Sequence, residues 1–107
     1  MKNPTAIQLD KYDINQKIIK AFADLESRTI LFSIKKARLT EDISRKTNIP
    51  LSTVYKKLEK LQELTLVKIE RIELSDHGRR MKYYKSRISE VEISIRKLEP
   101  ILILHKN

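Results

Sequence analysis

Apolar residues recur at helical spacing through the first part of the chain. Ile14, Ile18, Phe22 and Leu25 fall on one stripe, and Asp10 is placed to cap the helix that carries them. Residues 1–9, ahead of that cap, read as a flexible N-terminal arm. Asp24 is a second cap, for a helix presenting Ile30, Leu31 and Ile34 and followed by the basic cluster Lys35, Lys36 and Arg38. Thr40 followed by Glu41 and Asp42 predicts a third helix, with a hydroxyl cap and first-turn acids that suit the positive end of its dipole. That helix must be short, because Pro50 disfavours helical geometry at Ile49. A fourth starts at Leu51, with Val54, Leu58 and Leu61 on one face.

Beyond this helix the period changes from that of a helix to that of a strand. Leu66–Leu74 is rich in β-branched residues, and Arg80–Ser86 reads as its return strand. Between them, Asp76-His77-Gly78 makes a turn in which Gly78 supplies a positive φ. The paired tyrosines alternate across the return strand, with Tyr84 assigned to the core and Tyr83 to solvent. In the last segment Val91, Ile93 and Ile95 alternate with Glu92, Ser94 and Arg96, as in a strand. Pro100 breaks the chain before Ile101–Leu104, a further strand. A helix over Ile88, Val91, Ile95 and Leu98 is the competing reading, but it leaves Ile93 on the wrong face.

The centre of the chain has the pattern of a helix-turn-helix. Ile43, Ile49 and Val54 stand where two crossing helices need apolar groups, and Ser44 is small where they approach. Asn48 falls at the turn, where a left-handed residue is required and Asn is the best choice after Gly. With Val54 as the centre of the buried face of the second helix, Leu58 and Leu61 fall within about 40° of it. Ser52, Thr53, Lys56, Lys57 and Lys60 are assigned to the opposite half: short hydroxyls at the N-terminal end, ammonium groups behind them. A solvated lysine face on an ordinary amphipathic helix has the same pattern. The hairpin that follows tips the balance, since Arg79, Arg80 and Lys82 cluster at its tip, where flanking phosphates or a minor groove would lie. The expected fold is therefore α+β, mostly α: a winged helix-turn-helix over 10–88, a two-stranded wing, and an apolar C-terminal extension over 89–107.

Charge sharpens this picture. The 107 residues carry a formal net charge of +9, which calls for a polyanionic partner. The excess is concentrated in residues 1–39 and 64–88, whereas residues 89–107 hold 3 basic and 3 acidic side chains. That neutral, apolar terminus is suited to protein contacts, with the first helix, Asp10–Ala23, as its companion in a dimer interface. One Gly and three Pro leave room only for short loops.

The run Thr40–Leu61 followed by Leu66–Tyr84 resembles the winged helix-turn-helix regulators of archaea and bacteria, especially the ArsR-like archaeal ones. Ile43, Asn48-Ile49-Pro50, Ser52-Thr53-Val54-Tyr55, Leu58 and Leu61 carry the resemblance, and Leu66-Val67, Gly78 and Tyr84 extend it over about residues 24–88. The resemblance implies a dimeric DNA-binding repressor or activator with the Ser52–Lys60 helix in the major groove and the wing on the backbone. It also favours Tyr55 as a phosphate contact over a core-edge residue. The chain departs from the metal-sensing members in having no cysteine.

Other chemistry finds little support. Without cysteine there is no disulfide, thiolate metal site or cysteine nucleophile. The serines have no histidine partner and there is no glycine loop for phosphate, so an enzyme is not expected. His77 reads as an exposed wing-turn residue. His105 sits beside a fraying terminus, and no carboxylate cluster stands at ligand spacing from either histidine. No metal, cofactor or small-molecule effector is expected. The longest apolar run, Ile101–Leu104, cannot span a bilayer and the N-terminus lacks a signal-peptide core, which points to the cytoplasm; there the resemblance implies a homodimer acting on double-stranded DNA. The rival readings are a winged-helix protein-interaction module and a non-specific nucleic-acid binder.

Overall fold

A computed structural model describes residues 6–96 and 98–107, with side chains described from residue 13 onward. The elements run α1 (Ala6–Ala23), α2 (Leu25–Ser33), β1 (Arg38–Leu39), α3 (Thr40–Thr47), α4 (Leu51–Glu63), β2 (Val67–Leu74), β3 (Arg80–Ser86), β4 (Ile88–Ser94) and β5 (Ile101–Lys106). Strands β1, β3 and β2 form one antiparallel sheet in that order, and β4 pairs with β5 in a second. The terminal segment is thus a hairpin, and the helical alternative for it is overturned. Among the described residues no helix is long and apolar enough to cross a membrane.

The core lies where the three central helices meet the base of the wing. Ile30, Leu31 and Ile34 from α2 and its end, Ile43 from α3, and Val54, Leu58 and Leu61 from α4 are all buried. Ile18 and Phe22 close it from α1, and Leu66, Val67 and Tyr84 close it from the wing. The buried stripe of α4 is the one expected from its period, and Tyr84 is the buried tyrosine. Among the described residues every buried side-chain polar atom has a hydrogen-bond partner.

Three starts and ends differ from expectation. The first helix begins at Ala6, not at Asp10, so residues 6–9 of the expected arm are helical, and residues 1–5 lie outside the described residues. Ala6, Gln8 and Leu9 are good helix formers and need no cap at Asp10 to continue. Leu25 opens α2 instead of completing the α1 stripe, and it is 67% exposed. Thr40 is not a cap: Leu39, held extended by its pairing with Tyr83 in β3, occupies that position, and Thr40 is the first helical residue. Its buried hydroxyl turns instead toward Tyr55 and Glu41.

Asp24 is the cap the sequence proposes, and it does more than cap. Its carboxylate accepts from the Ser27 N–H (3.1 Å) and hydroxyl (2.7 Å), and it pairs with Lys57 of α4 at 2.8 Å. Its own N–H closes α1 on the Lys20 and Ala21 carbonyls, so this residue joins α1 to α2 and ties α2 to α4. The Lys57 ammonium, with Ser27, holds the carboxyl at about 2, below its ordinary 3.8. Replacing Asp24 with Ala should cost about 1–2 kcal/mol in denaturant unfolding at pH 7, from the lost cap and a half-exposed ion pair. Because the folded pKa is the lower one, this contribution is present above the unfolded value. It is lost as pH falls from 3.8 toward about 2, so the wild-type advantage should vanish across that window.

The turns are set by single left-handed residues. Asn48, at φ 61° and ψ 20°, ends α3 with its N–H on the Ser44 carbonyl, and the Ser44 hydroxyl reaches across to the Ile49 carbonyl at 2.6 Å. At the end of α4, Thr65 takes φ 61° while the Leu66 N–H reaches the Leu61 carbonyl and the Thr65 N–H that of Gln62. This is a Schellman ending with a β-branched residue in the strained position. Gly78 sits at φ 75° in the wing turn, where its N–H donates to the Ser75 carbonyl.

The terminal hairpin is fastened at its base. Asn107 donates its N–H to the Arg87 carbonyl and its amide to the carbonyls of Lys35 and Ser86. The chain therefore ends in ordered pairing, and His105 is a strand residue facing Glu90 rather than part of a frayed end.

Candidate nucleic-acid interface

Helix α4 presents its polar side away from the core. Ser52, Lys56 and Lys60 are exposed, Thr53 is half-buried, and Lys56 and Lys60 have no ion-pair partner among the described residues. Thr53, Lys56, Lys57 and Lys60 share a shallow concavity with Glu59 and Glu63. These acids temper the positive surface, a feature that a count of lysines alone does not show.

Lys57 borders the same concavity but is paired. Three positions from Val54 is about 60° around a helical wheel, on the flank of the buried face and not opposite it. There its ammonium reaches Asp24, and the side chain is 27% exposed. The angle was available in the sequence, but the carboxylate it meets comes from another helix.

The wing is built so that its basic residues face the helix-turn-helix. In β3 the core-facing Tyr84 is followed on the same side by Lys82 and Arg80, two and four positions away. An irregularity between Ile69 and Arg71 shifts the pairing of β2, which sets Ile72 opposite Lys82 and Leu74 opposite Arg80 on that inner side. It also places Arg71 on the outer side, stacked on the Tyr83 ring at 3.8 Å and bonded to Glu73 at 2.8 Å. Arg71 and Tyr83 hold the Glu73 carboxyl below its ordinary pKa. This cross-strand cluster stiffens the wing, and only the register change brings it together.

Between the wing and the helices runs a groove of about 650 Å³ lined by Thr40, Tyr55, His77, Arg79, Arg80 and Lys82. Tyr55 is 44% exposed, and its phenol oxygen lies 3.1 Å from the Thr40 hydroxyl, which fixes the ring from the start of α3. Arg79, with a side chain 75% exposed, approaches Glu41 at 3.8 Å. The structure thus brings Tyr55 together with Arg79, Arg80 and Lys82, and Thr53 together with Lys56, Lys57 and Lys60. Ser52 stands exposed in the first turn of α4.

Thr40, Glu41 and His77 are groove residues that the sequence reading did not select. Thr40 and Tyr55 are 15 positions apart, a separation with no periodic signature. Of the other basic residues, Arg38 bonds through Nε to the Ser33 carbonyl at 2.9 Å, and Lys35 lies 5.6 Å from the centre of the Phe32 ring. Both serve the end of α2, as the helix dipole favours.

No protein-family model matches the chain, and no curated protein is significantly similar in sequence. Among solved structures, the crystal structure of NolR from Sinorhizobium fredii superposes with a TM-score of 0.63 over 80% of this chain and 81% of that one, at 22% identity. What the two share at that identity is the architecture: this chain has the winged-helix fold.

Proposed function

We propose that the protein is a sequence-specific regulator of transcription that binds double-stranded DNA, with α4 in the major groove and the wing on the flanking backbone. The observation that carries this reading is cationic surface on both elements: two unpaired lysines on the outer side of α4, and Arg79, Arg80 and Lys82 along the groove between wing and helices. Ser52 and Thr53 at the N-terminal end of α4 are placed for base edges and phosphate, and Lys56 and Lys60 for phosphate. Tyr55, oriented by Thr40, offers a phenol to the backbone between helix and wing. A winged helix that served only as a protein scaffold would have no need for cationic surface on both elements.

The working unit in this reading is a homodimer in the cytoplasm, and the β4–β5 hairpin is its contact. Ile95 and Leu98 are 73% and 72% exposed at the hairpin loop, with Ile101 at 56% just beyond. The hairpin segment is electrically neutral in a chain of net charge +9, so two copies meet there without the repulsion that the rest of the surface imposes. Two recognition helices then read half-sites about one DNA turn, roughly 34 Å, apart.

Selection of bound fragments from random duplex DNA, read by sequencing, tests the function. A two-fold symmetric consensus is expected; no enrichment would favour the scaffold or non-specific alternatives. The double variant Ile95→Glu/Leu98→Glu should sediment as a monomer and bind a single half-site weakly. An unchanged sedimentation coefficient relative to a dimeric wild type would remove the hairpin from the interface.

A further inference from the structure

The outward face of the terminal hairpin brings together three side chains whose positions in sequence give no metal-binding spacing. Glu90 and Glu92 are two apart on β4, so they share a face, and Glu90 is the direct cross-strand partner of His105 on β5. His105 Nε2 lies 2.8 Å from Glu92 Oε2, and one ligand atom from each of the three residues lies within 4.8 Å of the others. All three side chains are exposed, so a hydrated ion can reach them.

We infer that Glu90, Glu92 and His105 form a binding site for a divalent first-row transition ion. Metal–nitrogen and metal–oxygen bonds of about 2.0–2.2 Å place ligand atoms roughly 3.0–3.4 Å apart, a spacing that small rotamer changes in these three side chains supply. The imidazole selects zinc, nickel or cobalt over magnesium and calcium, and the absence of cysteine removes the soft-metal alternatives. Two carboxylates give the site the negative charge that a dication needs on a basic protein. Glu92 raises the His105 pKa above its ordinary value, and a divalent ion competes with protons for the ring nitrogen. Remaining coordination positions are left to water. Because the ligands come from both strands, the ion clamps β4 to β5, and binding adds to the stability of the hairpin.

The chain itself supplies a clean background, with two histidines and no cysteine. Zinc titrated calorimetrically into the full-length, tag-free protein should bind at one ion per chain. In proton NMR the ring resonances of His105 should shift while those of His77 stay in place. His105→Ala and Glu92→Gln should each weaken binding by at least about tenfold, and His77→Ala should leave it unchanged. Circular dichroism of each variant verifies the fold, and Glu90→Gln provides a second ligand substitution that keeps side-chain volume. Stoichiometric binding that survives His105→Ala, or no saturable binding at millimolar zinc, would overturn the assignment. Neither result bears on DNA binding through α4 and the wing.

Discussion

Replacing Lys56 and Lys60 together with alanine should lower affinity for the selected duplex by roughly 10–100-fold at low salt, as two charge-assisted phosphate contacts are lost. The salt dependence is the sharper readout. Each phosphate contact removed should reduce the slope of log affinity against log salt by about 0.9. The double variant should therefore show a slope smaller by roughly 1.8, with little change in the preferred sequence, because ammonium groups on phosphates position without reading bases. Lys57→Ala provides the contrast. Its ammonium is engaged by Asp24 at 2.8 Å, so its loss should lower folding stability and leave the slope nearly unchanged. Fluorescence anisotropy across a salt series checks all of these together. An unaltered slope in the Lys56/Lys60 variant would take α4 out of the interface.

Arg80→Ala and Lys82→Ala extend the same logic to the wing. Both face the groove that Tyr55 enters, on the inner side of β3. A wing on the backbone implies that their loss weakens all sequences alike and shortens the protected footprint at its edges.

The sequence made the elements with strong local signals legible. The buried stripe of α4, the left-handed Asn48, the Asp24 cap and the Gly78 turn each depend on residues within one or two turns of each other. The alternation of Val91 and Ile93 likewise predicts the strand that β4 forms, although Ile95, which continues the pattern, falls just past its end at Ser94. Features that depend on distant neighbours were not legible. Thr40 has the composition of a cap, yet the pairing of Leu39 with β3 moves the cap by one residue and frees the Thr40 hydroxyl for Tyr55. The ion pair of Lys57 with Asp24 was not legible, since the carboxylate comes from another helix. Thr65 carries no turn signal at all: a β-branched residue takes φ 61° because Leu66 must turn back onto the core. The candidate interface divides in the same way. Its α4 half is a helical wheel and could be drawn in advance, whereas the groove between Tyr55 and the wing depends on sheet register and on contacts across 15 or more positions. The Glu90–Glu92–His105 cluster belongs to this second class, since only the pairing of β4 with β5 makes neighbours of residues 13 apart.

Leu58→Ala should have the largest effect on stability, and its consequence reaches the interface. Helix α4 is held to the core by Val54, Leu58 and Leu61, and Leu58 is the middle anchor, 2% exposed. Truncating it leaves a cavity between α4 and the other helices that close packing cannot refill, at a cost of about 3 kcal/mol. For a domain of this size that lowers the midpoint of thermal unfolding by roughly 15 °C. No polar group on the outer side of α4 is altered, so the contacts available to DNA are the same in the folded variant. Bound DNA should then restore stability by mass action, by about 2.7 kcal/mol at a free concentration a hundred times the dissociation constant. The expected result in calorimetry is a large destabilisation of the free variant that specific duplex mostly offsets. Scrambled duplex at the same concentration should restore less, in proportion to its weaker binding. Equal recovery with both duplexes would mean that α4 recognises charge and not sequence. No recovery with either would mean that the surface opposite Leu58 does not meet DNA.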